Sequence, residues 1–211
     1  MTGGNSGIGR AIAERFAAEG VHVVVASRRA AGAGSVRCDV SNEAQVRALV
    51  RGVIRRHGRV DILVNNAGIG GAWDRIERVK RRDWDRVMAT NLTGAMLCAR
   101  EVFPHMKKRR RGEIIMISSV CGQDAWEGSG AYSASKHGMQ ALAKALLDEG
   151  LPHGIRTACI CPGQVATPMG GRGRTLIRPE DVAAAAWYLA TLGPNVVVRE
   201  IRLDRRAALV D

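Results

Sequence analysis

The sequence predicts an α/β fold with a doubly wound parallel sheet, in a single domain spanning residues 1–211. Short apolar runs alternate along the chain with longer segments of helical periodicity, as expected when helices cover both faces of a parallel sheet. Hydrophobic residues make up 46% of the 211 residues, which is enough for a sizeable core and excludes a disordered chain.

The chain opens with a glycine-rich turn, Thr2–Arg10, which leads into a helix that ends at Gly20. Glycines let a backbone approach a pyrophosphate closely, and the N-terminus of a helix offers free N–H groups to it. Glycine-rich turns also occur without a ligand, so the turn alone does not decide the function.

A buried strand is predicted over residues 21–26, and it ends in Ser27-Arg28-Arg29. In dinucleotide-binding folds an acidic residue near this point binds the ribose 2′-hydroxyl, whereas an arginine accommodates a 2′-phosphate. Two arginines and no acid favour NADP(H); the alternative is a pair of exposed loop arginines. A short strand over 35–40 and a helix over 41–57 follow, with Ser41 as the expected N-cap.

The next strand, over residues 60–64, delivers Asn65-Asn66-Ala67-Gly68 at its carboxyl end, where open α/β sheets bind ligands. An ordinary turn would explain the same residues. A long helix is predicted from Arg82 to Phe103. It carries Asn91 among apolar neighbours, which usually indicates a hydrogen-bonded core amide.

The net charge of +12 raises the possibility of a nucleic-acid partner. The only dense basic run, residues 107–111, lies where the long helix should end, and cations suit a helix C-terminus. The scattered charge therefore favours a solvated helix end and no nucleic acid.

The second half of the chain repeats the alternation. Strands are predicted over 113–117, ending in Ser118-Ser119, and over 155–160, ending in a segment that runs to Met169. A helix from Pro179 to about Thr191 and a closing strand over 196–203 complete the fold.

Tyr132 and Lys136 lie four positions apart in a segment of helical periodicity, so they share one face of a helix. A neighbouring ammonium favours the phenolate, and we expect it to lower the pKa of Tyr132 from its usual value near 10. A surface pair with no chemistry is the alternative for this spacing taken alone.

The five cysteines, Cys38, Cys98, Cys121, Cys159 and Cys161, form no CxxC pair and lie mostly in apolar segments. They indicate reduced thiols in a cytoplasmic protein without a metal site. The N-terminus has no signal-peptide pattern, and no apolar run reaches the length of a membrane span.

Taken together, the order of these motifs resembles the classical branch of the short-chain dehydrogenase/reductase family, with its Rossmann-like fold, over nearly the whole chain. The resemblance implies a catalytic set of Asn91, Ser119, Tyr132 and Lys136. It places these residues around the cofactor: Gly3, Asn5, Ser6, Gly7, Ile8 and Gly9 in the first turn, Ser27, Arg28, Asp39 and Val40 beside the adenosine, and Asn65, Asn66, Ala67, Gly68, Tyr132, Lys136, Pro162, Gly163, Val165 and Thr167 toward the nicotinamide.

The resemblance implies hydride transfer between NADP(H) and a small carbonyl or alcohol substrate in a homodimer or homotetramer. Ser119 would bind the carbonyl oxygen, Tyr132 would supply the proton, Lys136 would tune Tyr132 and hold the ribose, and Asn91 would hold a water on the path to Lys136. The alternative is a degenerate, catalytically impaired member that acts as a nucleotide-binding or interaction module.

Three features depart from the family pattern. Its first strand and the helix that normally follows Arg29 are absent, and the link over 170–177 is short where relatives often carry a lid over the substrate. Loss of a central strand would cost about 8–15 kcal/mol, as much as a whole domain's stability. We therefore expect an apolar strand to be encoded just before Met1; the alternatives are that another segment fills the gap or that the product is barely folded.

Overall fold

The computed structural model describes residues 1–29 and 34–206. Within them the chain forms six parallel strands and six α-helices. The strands are β1 Val25–Ser27, β2 Ser35–Arg37, β3 Ile62–Asn65, β4 Gly112–Ile117, β5 Ile155–Pro162 and β6 Glu200–Leu203. The helices are α1 Gly7–Ala18, α2 Glu43–His57, α3 Arg81–Met88, α4 Gly94–Arg109, α5 Gly130–Gly150 and α6 Pro179–Thr191.

The predicted α/β class and parallel sheet are confirmed. Strands β3, β4, β5 and β6 form one sheet in that order, and β1 and β2 form a separate pair. Helices α1 and α6 cover one face of the larger sheet, where Ile12 and Phe16 pack with Leu189. Helices α2, α4 and α5 cover the other face, which contains residues such as Met106 and Met139. The carboxyl ends of β3, β4 and β5 therefore meet at one edge.

The predicted absence of a first strand corresponds to a gap between β1 and β3. Among the described residues, only residues 1–3 bridge this gap. The Thr2 N–H donates to the Val64 carbonyl at 3.0 Å, and the Gly3 N–H donates to the Ala26 carbonyl at 2.7 Å. The rest of the gap is a slot of about 600 Å³ with apolar walls, to which Phe16, Val23, Val53, Ile62, Leu63 and Val102 contribute.

The slot also explains why the strand predicted over residues 21–26 was too long. Ladder pairing begins only at Val25, opposite Ser35, and residues 21–24 line the slot on the side toward β3. The closing strand was likewise predicted too long: it begins at Glu200, and Val196 and Val197 before it are exposed. The predicted N-cap was wrong by one residue, since Asn42 accepts the Gln45 N–H and Ser41 binds Asp39 instead.

The long helix predicted from Arg82 to Phe103 is interrupted by a π-helical turn at Ala89–Thr93. Such turns often mark functional sites, and this one contains Asn91. Helix α4 ends in Lys107, Lys108 and Arg109, as expected for the basic run. The short crossover predicted after Arg29 falls on residues 30–33, outside the described residues. No helix in the described part of the chain is long and apolar enough to cross a bilayer.

Candidate active site

The glycine-rich turn packs directly against the end of β3. Gly3 and Gly7 have positive φ angles of 67° and 53°, which glycine adopts at little cost. A Cβ at Gly9 would collide with the Gly3 carbonyl oxygen and with the Asn66 amide nitrogen, so no side chain fits there. The turn thus holds the start of α1 tightly against the segment that follows β3.

Thr2 and Asn66 connect these two segments. The Thr2 hydroxyl accepts the N–H groups of Asn66 and Ala67 at 3.1 and 3.0 Å. In return, the Asn66 side-chain amide donates to the carbonyls of Thr2 and Gly3, both at 3.0 Å. The Asn66 side chain therefore holds the glycine-rich turn in shape. Thr2 belongs to the motif but was missed as a site residue.

The N-terminus of α1 fits a pyrophosphate. Its N-cap, Ser6, is exposed and its hydroxyl makes no capping bond, so the first N–H groups of the helix stay available for an anion. A Cβ at Gly7 would lie 3.1 Å from the Thr167 methyl carbon, so Thr167 faces this cradle across a narrow gap. Asn5 and Ile8 belong to the same turn.

Thr167 lies in the segment that leaves β5. Pro162 is the last residue of β5, and the Gly163 N–H donates to the Leu203 carbonyl at 2.8 Å. Val165 is buried and forms a β-bridge with Ile177. The Thr167 hydroxyl accepts the Gly170 N–H at 3.0 Å. These contacts fix the short link over 170–177 beside the cleft.

The adenosine end of the predicted site lies at the tips of β1 and β2. Arg28 is exposed, and its positive charge helps to lower the pKa of Asp39, after the larger effect of the hydrogen bond from Ser41. The buried Ser27 hydroxyl donates to the Arg29 carbonyl at 2.6 Å, which fixes this turn. Val40 packs against Gly94, where a Cβ would lie only 2.7 Å from a Val40 methyl.

Ser119, Tyr132 and Lys136 meet at the carboxyl end of β4. Ser119 accepts the Cys121 N–H at 3.1 Å and contacts the Tyr132 phenol. The Lys136 ammonium lies 5.6 Å from the centre of the Tyr132 ring and donates to the Ile117 carbonyl at 2.8 Å. The structure thus brings together three of the four predicted catalytic side chains.

The expected effect of Lys136 on Tyr132 is not found. Burial raises the pKa of Tyr132 to about 12, the contact with Ser119 opposes this rise, and Lys136 makes no resolved contribution. Burial also lowers the pKa of Lys136 to about 8. Desolvation by burial is the largest cause of the pKa shift at both groups. The Tyr132 phenol is consequently protonated across the neutral pH range.

The Asn91 side chain is fully committed to the protein. Its amide oxygen accepts the Ile69 N–H at 2.8 Å, and its nitrogen donates to the Ile69 carbonyl and the Ser135 hydroxyl, both at 3.0 Å. It thereby connects the segment after Gly68 to α5. Asn65 turns away from the cleft and donates to the Ala95 carbonyl at 3.0 Å, so its side chain supports α4. No metal-binding cluster occurs among residues 1–29 and 34–206.

One residue at the cleft had no sequence signal. The Trp73 ring lies 6.0 Å from the Tyr132 ring, at 36° between the planes, and is 56% exposed. It lies in an irregular segment between β3 and α3, where neither periodicity nor a motif marks a position.

The comparisons with known proteins agree with this geometry. The profile of a family described as short chain dehydrogenase matches residues 1–175. A 3beta-hydroxysteroid dehydrogenase of Mediterraneibacter gnavus is 36% identical over 200 residues, covering 88% of this chain and 72% of the relative. A granaticin polyketide synthase putative ketoacyl reductase of Streptomyces violaceoruber is 41% identical over 191 residues, covering 82% and 70%.

Solved structures extend the similarity to the whole fold. A 3-ketoacyl-(acyl-carrier-protein) reductase from Brucella melitensis, complexed with NADH, has a TM-score of 0.90 and 31% identity, covering 96% of this chain and 94% of that one. A metagenomic short-chain oxidoreductase in complex with NADP has a TM-score of 0.86 and 32% identity, covering 97% and 94%.

Proposed function

The chain belongs to the short-chain dehydrogenase family, and from that premise we propose that it transfers a hydride between NADP(H) and a carbonyl compound or the corresponding secondary alcohol. The observation that carries the proposal is the cluster of Ser119, Tyr132 and Lys136 at the edge of the sheet that also holds the glycine turn. These groups are the proton donor and oxyanion partner that carbonyl reduction needs.

The nicotinamide, when bound, supplies or accepts the hydride. The protein's part is to manage the proton and the charge on the substrate oxygen. The Tyr132 phenol is protonated at neutral pH, with its pKa near 12, and so can donate to that oxygen. The Ser119 hydroxyl contacts the phenol and can donate a second hydrogen bond. Lys136, with its pKa lowered to about 8, exchanges protons near neutral pH and can restore the phenol proton.

We propose NADP(H) as the cofactor because of the residues that follow the end of β1. Arg28 is exposed there, and the carboxylate of its neighbour Asp39 accepts the Ser41 hydroxyl at 2.7 Å. A 2′-phosphate would thus meet an available guanidinium. The relatives bind either form, since one neighbour is complexed with NADH and another with NADP.

We also propose an assembly and a cellular setting. We place the protein in the cytoplasm, because all five cysteines are buried as free thiols. We propose a homodimer or homotetramer with a small-molecule substrate and no nucleic-acid partner, a proposal supported by family resemblance and by the scattered basic charge. Light scattering of the purified chain measures the assembly, and duplex-DNA binding at physiological salt tests the last point.

The test is NADPH oxidation against a panel of ketones and aldehydes, with Tyr132→Phe as the matched variant. We expect turnover by the unmodified chain and a loss of at least about 100-fold in the variant. NADPH binding without turnover of any carbonyl would favour the second candidate, an impaired nucleotide-binding module. The open slot between β1 and β3 is the observation that favours this candidate. Equal turnover by both proteins would contradict the role of Tyr132.

A further inference from the structure

Exposed apolar side chains concentrate around the mouth of the cleft. Nine large hydrophobic residues are exposed in the described part of the chain, and four of them lie on three segments around Trp73 and the start of α5: Trp73, Ile76, Trp126 and Met169. Exposed apolar surface of this kind usually marks a place where something binds.

Trp73 is the centre of this group, which we call the aromatic rim. Its ring faces that of Tyr132 at 6.0 Å. A Cβ at Gly70 would lie 3.6 Å from the Trp73 indole nitrogen and 3.9 Å from the Met169 Cγ, so Trp73 and Met169 flank the same glycine. Ile76 reaches the start of α5, because its Cδ1 lies 3.9 Å from the Cβ position of Gly130.

The loop that carries Trp126 is tied to the loop that carries Trp73. The Asp74 N–H donates to the Gly128 carbonyl at 3.1 Å, and Arg75 pairs with Glu127 at 2.7 Å. Ser129 is buried and bonds both the N–H and the carbonyl of Trp126, at 3.0 and 2.7 Å. Hydrogen bonds therefore hold the two loops that carry Trp73 and Trp126 in place before any substrate binds.

We propose that the substrate is a ketone or secondary alcohol whose reacting carbon is attached to a flat apolar ring system. This inference rests on the proposed hydride transfer and names the substrate class of the same site. A planar ring can stack on the exposed face of Trp73 while its carbonyl oxygen reaches the Tyr132 hydroxyl. Met169 is flexible and polarisable, which suits it to the edge of an aromatic ring. A small polyhydroxylated substrate would leave these side chains uncovered.

Kinetics on matched ketones test the proposal. We expect kcat/KM for 2-acetylnaphthalene to exceed that for dihydroxyacetone by at least about tenfold. Trp73→Ala should lower kcat/KM for 2-acetylnaphthalene by about tenfold and leave kcat/KM for dihydroxyacetone nearly unchanged. Trp73→Phe, which keeps a flat ring, should restore most of the lost kcat/KM. Tyr188→Ala is the control, since Tyr188 is an equally exposed aromatic residue on α6. Tyr188→Ala should leave kcat/KM unchanged for both 2-acetylnaphthalene and dihydroxyacetone.

A second measurement does not depend on turnover. Binding of 2-acetylnaphthalene is followed by calorimetry in the unmodified chain, Trp73→Ala and Tyr188→Ala, with a weaker affinity expected only in Trp73→Ala. Turnover with no preference for the flat ketone, or equal binding by all three proteins, would overturn the substrate class and leave hydride transfer intact. Binding that depends on Trp73 without turnover of any carbonyl would support the rim and reject the proposed function.

Discussion

The Asn66 side-chain amide donates to the Gly3 carbonyl at 3.0 Å, and this bond fixes the glycine turn against the end of β3. The same nitrogen donates to the Thr2 carbonyl at 3.0 Å. Both acceptors are backbone groups of the turn that would cradle a pyrophosphate. The cofactor site therefore depends on a side chain that lies more than 60 positions away in sequence and itself need not touch the phosphate.

Asn66→Asp tests this dependence with a change of almost no volume. A carboxylate would face two carbonyl oxygens, so we expect a loss of about 1–3 kcal/mol in the free energy of unfolding and NADPH binding weakened by about tenfold or more. Fluorescence titration with NADPH and urea unfolding measure the two effects. Asn42→Asp is the control, because an N-cap accepts either residue. Unchanged NADPH affinity in Asn66→Asp would contradict the account.

The lowered pKa of Lys136 predicts a pH dependence of stability. Its pKa is about 8 in the folded chain and 10.5 when unperturbed, so the unfolded chain binds more protons between these values. Stability from this group therefore rises with pH across that window. Relative to Lys136→Met, the unmodified chain should gain about 2 kcal/mol in the free energy of unfolding from pH 7.5 to 9.5.

Urea unfolding at several pH values checks that difference. Lys144→Met is the control for the loss of a lysine from the same helix, because Lys144 is exposed. Parallel pH profiles for the unmodified chain and Lys136→Met would mean that the ammonium is not desolvated. Activity should be lost in Lys136→Met whatever its stability.

Cofactor preference depends on Arg28 in this account. We expect kcat/KM with NADPH to exceed that with NADH by about tenfold or more, about 1.4 kcal/mol. Arg28→Ala should remove most of that preference by lowering the NADPH value alone, while Arg51→Ala, an exposed arginine on α2, should not. Equal kcat/KM for the two cofactors in the unmodified chain would rule out a 2′-phosphate site at the β1 tip.

The slot between β1 and β3 predicts a gain in stability when it is filled. Met1–Gly3 already pairs with both neighbours, so an extension before Met1 would run into the slot. Five β-branched apolar residues added there should bury apolar side chains and raise the unfolding temperature by several degrees or more. Five Gly, Ser and Asp residues added at the same point are the control. The same unfolding temperature for both extensions would show that the slot does not accept a strand.

The sequence was most informative where the signal is local. The apolar runs predicted β4 and β5, and the basic run at Lys107 marked the end of α4. The shortening of the strand before Ser27 could not be read this way. It depends on whether another strand lies beside residues 21–24, which is a property of the whole sheet.

Contacts between distant segments account for the rest. The four-residue spacing of Tyr132 and Lys136 predicted their proximity but not the Ile117 carbonyl that holds the ammonium. The expected direction of the Tyr132 pKa shift was wrong because burial, which the spacing does not reveal, raises that pKa. Trp73 had no periodic signal and is recognised only by its position against Tyr132. Asn91 was predicted as a core amide from its neighbours and as a relay from the resemblance; its side chain is hydrogen-bonded as a core amide would be, and the relay stays a prediction.

Hydride transfer itself is tested most directly with NADPH that carries deuterium at the transferable C4 position. Incubation with a ketone substrate, followed by mass spectrometry of the alcohol, shows where the deuterium goes. The account predicts one deuterium on the carbinol carbon, formed at least about 100-fold more slowly by Tyr132→Phe. NADPH oxidised without deuterium in the alcohol, or deuterium delivered equally fast by Tyr132→Phe, would contradict it.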